Sequence, residues 1–175
     1  SGNMAAFVVS GTCTENGQNV VLSGAGSATV SCSSNAWTHT FDFSASGEGT
    51  LTVNANHASA GGNNAVQDSR SFTKDTTLPT VAITAPAANS YVTTGNMAAF
   101  AVSGTCSENG RTVAITGAAS ASPTCSGGTW GTTLDFSASG QGNLTVNINH
   151  SDAAGNAAVQ DSRTFIKDTV APTAA

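Results

Sequence analysis

Hydrophobic and polar residues alternate along most of this chain, and short runs of Gly, Asn and Ser interrupt the alternation. The segment "NLTVNIN" is typical, because Leu144, Val146 and Ile148 are separated by single polar residues. A period of two predicts strands with one buried and one solvated face, and no segment shows the period of an amphipathic helix. The pattern therefore predicts an all-β protein.

The second half of the chain is expected to form seven strands, which is the number in an immunoglobulin-like β-sandwich. Asn-Gly pairs at Asn16 and Asn109 predict tight turns, because this pair adopts positive φ at little cost. The predicted strands are 80–84, 97–103, 112–117, 120–125, 129–137, 143–150 and 157–167. The alternation assigns to the inner face Val113, Ile115, Trp130, Leu134, Phe136, Leu144, Val146 and Ile148.

Much of the sequence occurs twice along the chain. Residues 1–80 align without a gap on residues 94–173, at a constant offset of 93, and 51 of these 80 positions are identical. A period of this length indicates tandem folded domains, since solenoid units are shorter. We expect one immunoglobulin-like repeat in residues 1–79 and a second in residues 80–175.

The two predicted repeats do not begin at equivalent positions. The first begins at the equivalent of Thr94, so it lacks a counterpart of the first predicted strand, "TVAITAP" at 80–86. The C-terminal "KDTVAPT" matches "KDTTLPT" at 74–80 and is expected to start a further linker. Because Pro79 restricts its own φ and extends the preceding residue, the two domains are expected to be joined end to end.

The composition excludes several classes of protein. Charged residues make up only 9% of the chain, so its surface must be solvated mainly by Ser, Thr, Asn and Gly, as on many secreted proteins. Five Lys and Arg residues and a net charge of -5 argue against binding to nucleic acid. No apolar run reaches the roughly 20 residues of a membrane span, so no membrane insertion is expected in this chain.

The four cysteines are expected to form two disulfides. Four cysteines allow three pairings, and the duplication favours the pairing in which each repeat closes on itself. The alternative, a zinc site with four thiolates, normally requires closely spaced ligand pairs, which this sequence lacks. Disulfides indicate an oxidising, extracytoplasmic compartment. The expected bridges join Cys13 to Cys32 and Cys106 to Cys125.

Several motifs resemble the bacterial immunoglobulin-like repeats of large surface adhesins. They are "GTW" at the start of a strand, "DAAGN" in the loop before the last strand, and "DT" followed two residues later by Pro at the domain junction. The resemblance implies a stalk or adhesive module on a bacterial surface. In some members of this family calcium stiffens the junctions, which implies possible calcium ligands at Asp75, Asp152 and Asp168, although Ser59 replaces the acid in the first repeat.

A polar cluster is predicted near the end of each sandwich. A histidine lies on the inward parity at the end of one strand, and an Asp and an Arg follow on the next. Such a cluster could bind a ligand or move a proton, but no nucleophile motif or phosphate loop accompanies it, so a structural network is favoured. Its members are His57, Asp68 and Arg70 in the first repeat and His150, Asp161 and Arg163 in the second.

The sequence features bear on three classes of function: a spacer, a binding module and an enzyme. Duplication, short linkers and disulfides favour a structural spacer or stalk of a secreted or surface-displayed bacterial adhesin, with neighbouring repeats of the same chain as partners. A binding module that contacts carbohydrate or a cell surface through its loops is the alternative. Trp37 and Trp130 could stack on sugars, but one inward Trp per sandwich favours a core role, and the unmatched His39 is expected at the rim. No enzymatic activity is expected.

Overall fold

The computed structural model describes residues 4–174, which form strands, turns and one short 3-10 helix. The all-β prediction is confirmed. The chain divides into two compact units, the first ending at Thr76 and the second beginning at Thr77. This break lies close to the predicted boundary after Pro79.

The described part of unit 1 contains six strands in two sheets. The helix covers Met4–Ala6, and the strands are β1 (Phe7–Thr12), β2 (Asn19–Gly24), β3 (Ala28–Ser31), β4 (Ala36–Phe41), β5 (Gly49–His57) and β6 (Asp68–Lys74). The smaller sheet is the antiparallel pair of β1 and β4, and the larger sheet has the order β3-β2-β5-β6.

Unit 2 contains seven strands, also in two sheets. The strands are β7 (Val81–Ala85), β8 (Tyr91–Val92), β9 (Phe100–Cys106), β10 (Val113–Gly117), β11 (Thr129–Leu134), β12 (Gly142–His150) and β13 (Asp161–Lys167). One sheet has the order β11-β9-β7 and the other the order β10-β12-β13-β8, in which only the β13–β8 pair is parallel.

Unit 2 has a closed core between its two sheets, as in an immunoglobulin-like sandwich. Ile83 and Val102 come from one sheet, while Val146 and Phe165 come from the other, and all four are buried in one cluster. Every residue predicted on the inner face is buried. Thr133 and Thr145, which alternate with these residues along the same strands, are exposed. The alternation of the sequence is therefore a correct guide to the inner face.

Four predicted strands of unit 2 are wrong in part. The strand predicted at 129–137 ends at Leu134, and the strand predicted at 157–167 begins only at Asp161. Residues 120–125 form only two isolated bridges, to Thr112 and to Ile115 of β10. Pro123 has no N–H to donate at the position where Val30 of unit 1 pairs within β3. Strand β9 begins at Phe100 rather than at Met97, because a turn precedes it in which the Asn96 side chain accepts a hydrogen bond from the Thr93 N–H at 2.7 Å. The short β8 was not predicted.

The core of unit 1 is smaller. Its buried cluster contains the cysteines of the first disulfide together with Val20, Leu22, Trp37, Phe43 and Val53. Its sheets contain no strand equivalent to β7 or β8 within the described residues, so β1 and β6 each have an outer edge without a strand partner there. Side chains that a β7 would cover are consequently less buried in unit 1 than in unit 2.

Candidate functional site

Each unit contains its own disulfide. Cys13 and Cys32 are joined with a Cα–Cα distance of 5.9 Å, and Cys106 and Cys125 with a distance of 6.0 Å. Both bridges link the predicted partners, and no free cysteine is left for a zinc site. Each bridge closes a loop that includes the predicted Asn-Gly turn, in which Gly17 and Gly110 have φ values of 85° and 82°.

The asparagine of each turn fixes a second loop beside the disulfide. The Asn16 side-chain oxygen accepts a hydrogen bond from the Asn35 N–H at 2.9 Å. In unit 2 the Asn109 oxygen accepts one from the Gly128 N–H at the same distance. The turns therefore have a role in holding the strand connections together, in addition to reversing the chain.

The two predicted histidines bind backbone groups. His150 is 1% exposed, and its Nδ1 lies 2.9 Å from the Thr112 oxygen while its Nε2 accepts the Glu108 N–H at 3.2 Å. His57 makes the same two contacts, at 2.9 and 3.2 Å. This pattern fits a neutral ring with the proton on Nδ1, which joins the Asn-Gly turn to the end of β5 or β12.

The acid and arginine of each predicted cluster bind differently in the two units. In unit 2, Asp161 accepts the Ile83 N–H at 2.7 Å and Arg163 donates to the Pro86 oxygen at 2.7 Å. In unit 1, the Asp68 and Arg70 side chains are exposed and lie 3.4 Å apart as an ion pair. No described hydrogen bond joins either pair to its histidine, so the three predicted residues form separate contacts rather than one network.

These residues border a groove in unit 1. His57, Asp68 and Arg70 lie along it together with Gly11 and Trp37, and its volume is about 830 Å³. Residues from β1, β5 and the segment before β6 form its walls. The groove is the candidate functional site of the described structure, because it combines apolar walls with an exposed pair of opposite charges.

Asp152 organises the loop between β12 and β13. It is 4% exposed, and its carboxylate accepts hydrogen bonds from the Asn156 backbone and side-chain N–H groups, each at 2.8 Å. Burial acts to raise the pKa of Asp152, but the hydrogen bonds from Asn156, Gly155 and Ala154 outweigh it and hold the pKa below its ordinary value. In unit 1, Ser59 takes its place and accepts the Asn63 N–H at 3.2 Å.

The predicted calcium ligands are not brought together as a cluster. Within residues 4–174, no three His, Cys, Asp or Glu side chains form a group that could hold a metal ion. The Asp152 oxygens face N–H donors, and an oxygen of Asp168 accepts the Val170 N–H at 3.2 Å. Asp75 is half-buried directly after β6. Calcium binding by these residues stays a prediction.

Sequence reasoning missed a pair of buried lysines. Lys167 is 5% exposed, and its Nζ donates to the main-chain oxygens of Phe136, Ser137 and Ser139 at 2.7–3.1 Å. Lys74, also 5% exposed, does the same for Ser44 and Ser46 at 2.9 and 2.6 Å. The available signal was that "KDT" and "DFSASG" are both repeated without change.

Three acidic groups near these lysines accept local hydrogen bonds. Bonds from the Ser44 and Ser137 side chains and backbones lower the pKa of Asp42 and of Asp135 respectively. The side chain and backbone N–H of Thr76 lower the pKa of Glu48. All three carboxylates are exposed and serve as acceptors for the turn or linker that follows β4, β11 or β6.

The aromatic residues considered for sugar stacking lie in the cores. Trp37 and Trp130 are 9% and 3% exposed, so neither offers an open face. His39 is half-buried and packs edge-on against Phe41, with ring centroids 4.5 Å apart. In the part of the chain that is described, no helix has the length and hydrophobicity needed to cross a membrane.

Neither a protein-family model nor a curated protein matches the sequence. Several solved structures, however, are similar to this chain. A tetra-tandem repeat from the extending region of a large adhesion protein is 26% identical, with a TM-score of 0.45, over 95% of this chain and 46% of that one. A 1.5-MDa bacterial ice-binding adhesin is 18% identical, with a TM-score of 0.52, over 95% of this chain and 59% of that one.

Fibronectin(III)-like modules of Clostridium thermocellum CbhA are also similar. They are 13% identical, with a TM-score of 0.50, over 93% of this chain and 86% of theirs. The chain thus spans less than two thirds of the two adhesin structures. The two structures with TM-scores of 0.52 and 0.50 support a β-sandwich fold of the fibronectin(III)-like kind for this chain.

Proposed function

We propose that this chain is a structural spacer, a pair of stalk repeats of a secreted or surface-displayed bacterial adhesin-like protein. The observation that carries the proposal is the duplication: 51 of 80 aligned positions are identical, and each copy has its own core and its own disulfide. Self-contained copies of one module are what an array needs in order to add length. No catalytic role is part of the proposal.

Three further features support this function. The two disulfides fit an oxidising compartment outside the cytoplasm. The low charge and the exposed Ser, Thr and Asn residues fit an extracellular surface. The chain is also similar in fold to a bacterial ice-binding adhesin that is retained at the host cell surface. Neighbouring repeats of the same kind are the proposed partners.

Small-angle scattering tests the spacer role directly. If Pro79 and the short linker hold the repeats apart, the longest dimension should be roughly twice the ~40 Å expected for one sandwich with strands of about ten residues. Scattering at several concentrations separates a long monomer from an association of chains. A particle no longer than one repeat would contradict the proposal, and saturable binding on a glycan array would favour the binding-module alternative.

A further inference from the structure

The Asn-Gly turns of the two units have the same local sequence and the same backbone. Both are Glu-Asn-Gly, at 15–17 and at 108–110, and the Asn and the Gly are exposed in both. The two glycines have φ values of 85° and 82°. Their N–H groups donate to the main-chain oxygens of Cys32 and Cys125, at 2.9 and 2.8 Å respectively. The turns themselves therefore give the two asparagines no reason to differ in reactivity.

The neighbouring loop, in contrast, holds the two asparagines differently. The Asn16 Oδ1 accepts the Asn35 N–H at 2.9 Å, and the Asn16 Nδ2 donates to the Asn35 Oδ1 at 3.1 Å. The Asn109 Oδ1 accepts the corresponding N–H, from Gly128, at 2.9 Å. Glycine has no side chain to receive the second bond. The Asn16 amide is consequently held at two points and the Asn109 amide at one, among the bonds to this loop that the structure describes.

An Asn-Gly pair carries both partners of a ring-closing reaction. The glycine nitrogen gives up its proton to water or hydroxide and attacks the Cγ of the preceding asparagine. A new C–N bond closes a succinimide ring, and the bond from Cγ to the amide nitrogen breaks, so this nitrogen leaves as ammonia. Water then opens the ring at either carbonyl and leaves aspartate or isoaspartate. The reaction consumes only water, and glycine favours it because no Cβ hinders the approach.

Ring closure requires the asparagine side chain to leave the neighbouring loop. Its Cγ must turn towards the nitrogen of the following glycine, and this movement breaks the hydrogen bonds that the amide makes with residue 35 or residue 128. Two bonds are lost in unit 1 and one in unit 2. The additional bond should slow the reaction at Asn16 by about fivefold, which is the factor for one ordinary hydrogen bond.

We propose that Asn109 is a modification site, at which the folded protein converts a side-chain amide into a carboxylate, and that Asn35 protects Asn16 from the same reaction. The aspartate product keeps an acceptor for the Gly128 N–H and adds one negative charge. The isoaspartate product lengthens the main chain by one methylene inside the loop that the second disulfide closes, and its shorter side chain loses the bond to Gly128. The modification does not depend on the spacer role.

Incubating the full chain at mildly alkaline pH, well below its unfolding midpoints, tests the proposal. Peptide mapping by mass spectrometry measures both sites in one sample, and acidic digestion suppresses further reaction during handling. We expect conversion of Asn109 to be about fivefold faster than that of Asn16. The synthetic peptides TENGQ and SENGR, residues 14–18 and 107–111, should react at equal rates and are the control for local sequence. Because unit 1 has the smaller core, unfolding would favour the reaction at Asn16 and cannot produce the expected order.

Exchanging the neighbouring residues is the matched test. Asn35→Gly should raise the rate at Asn16 to that at Asn109, and Gly128→Asn should lower the rate at Asn109 to that at Asn16. Position 128 has room for the change, since the nearest atom to a Cβ there is the Cys106 oxygen at 4.0 Å, and asparagine tolerates the φ of 77°. Equal rates in the unchanged chain, faster conversion of Asn16, no conversion of either site while the peptides react, or exchanges that leave both rates unchanged would each overturn the proposal.

Discussion

Phe72 and Phe165 occupy the same position in two repeats that share 51 of 80 aligned residues, yet their surroundings differ. Phe165 is fully buried and packs edge-on against Phe100, with ring centroids 4.9 Å apart. Phe72 is half-buried and stacks on Phe7 at 4.2 Å. Since the residue and its strand are the same in both repeats, the difference arises from what covers them. Strands β7 and β8 have no counterpart among the described residues of unit 1, so unit 1 is expected to be the less stable unit of this chain.

Truncating these two phenylalanines should produce the largest difference between the units. Phe165→Ala leaves a cavity in a closed core and should cost about 3–5 kcal/mol, whereas Phe72→Ala removes a half-buried ring and should cost roughly 2 kcal/mol. The only two lysines of the chain lie one in each unit and are both 5% exposed. Amine-reactive pulse labelling across a denaturant series, read by mass spectrometry, therefore reports the opening of each unit separately.

The unchanged unit is the control for each variant. Phe165→Ala should lower the midpoint for Lys167 and leave that for Lys74 in place, and Phe72→Ala should do the reverse. Equal losses of stability from the two substitutions would show that the core of unit 1 is as closed as that of unit 2, which would remove the physical basis of the comparison.

The sequence predicted the inner face well because alternation follows directly from strand geometry: Leu144, Val146 and Ile148 can only share one face. It could not predict the buried lysines, because a cation in a strand is normally solvated and the oxygens that bind Lys167 come from the main chain some 30 residues earlier. Nor could it separate Asp68 from Asp161, since identical residues differ here only through the strand beside them.

Removing the buried ammonium groups should have the second largest effect. Lys167→Met leaves three main-chain oxygens of the β11–β12 loop without their donor and should cost about 2–3 kcal/mol. Lys74→Met should reduce the free energy of unfolding by somewhat less, because Lys74 donates to only two main-chain oxygens. Its other neighbour, a Glu48 oxygen 3.9 Å away, is accessible to water, which can solvate it in the variant. Unfolding followed by the one Trp of the affected unit, with the other changed to Phe, measures each loss.

Arginine at the same position provides a matched control. Lys167→Arg keeps the charge but places a larger, planar group where a compact ammonium meets three oxygens, so it should recover only part of the stability lost in Lys167→Met. Full stability of the Met variant would mean that the lysine stem alone, packed against the sheet, accounts for its burial.

The smallest expected effect distinguishes the loops that contain Asp152 and Ser59. The folded-state pKa of Asp152 is below the ordinary value, so it contributes stability that is present above the unfolded-state pKa of about 4 and is lost as the pH falls through the lower folded pKa. Ser59 cannot titrate there. Asp152→Ser should therefore lower the stability of unit 2 at pH 7 and make that stability less sensitive to acid, and Ser59→Asp should add acid sensitivity to unit 1. Denaturant midpoints of each unit between pH 7 and pH 2 measure both changes.

Other carboxylates also contribute to the acid sensitivity of each unit. Asp42 in unit 1 and Asp135 in unit 2 accept the same hydrogen bonds, from Ser44 and Ser137, so their contributions cancel when the two units are compared. Glu48 is matched by Gln141, so its contribution to acid sensitivity in unit 1 is removed with Glu48→Gln. If unit 2 keeps its full acid slope in Asp152→Ser, the carboxylate is not the source of the difference between the loops, and the buried Asn156 contacts must be maintained without it.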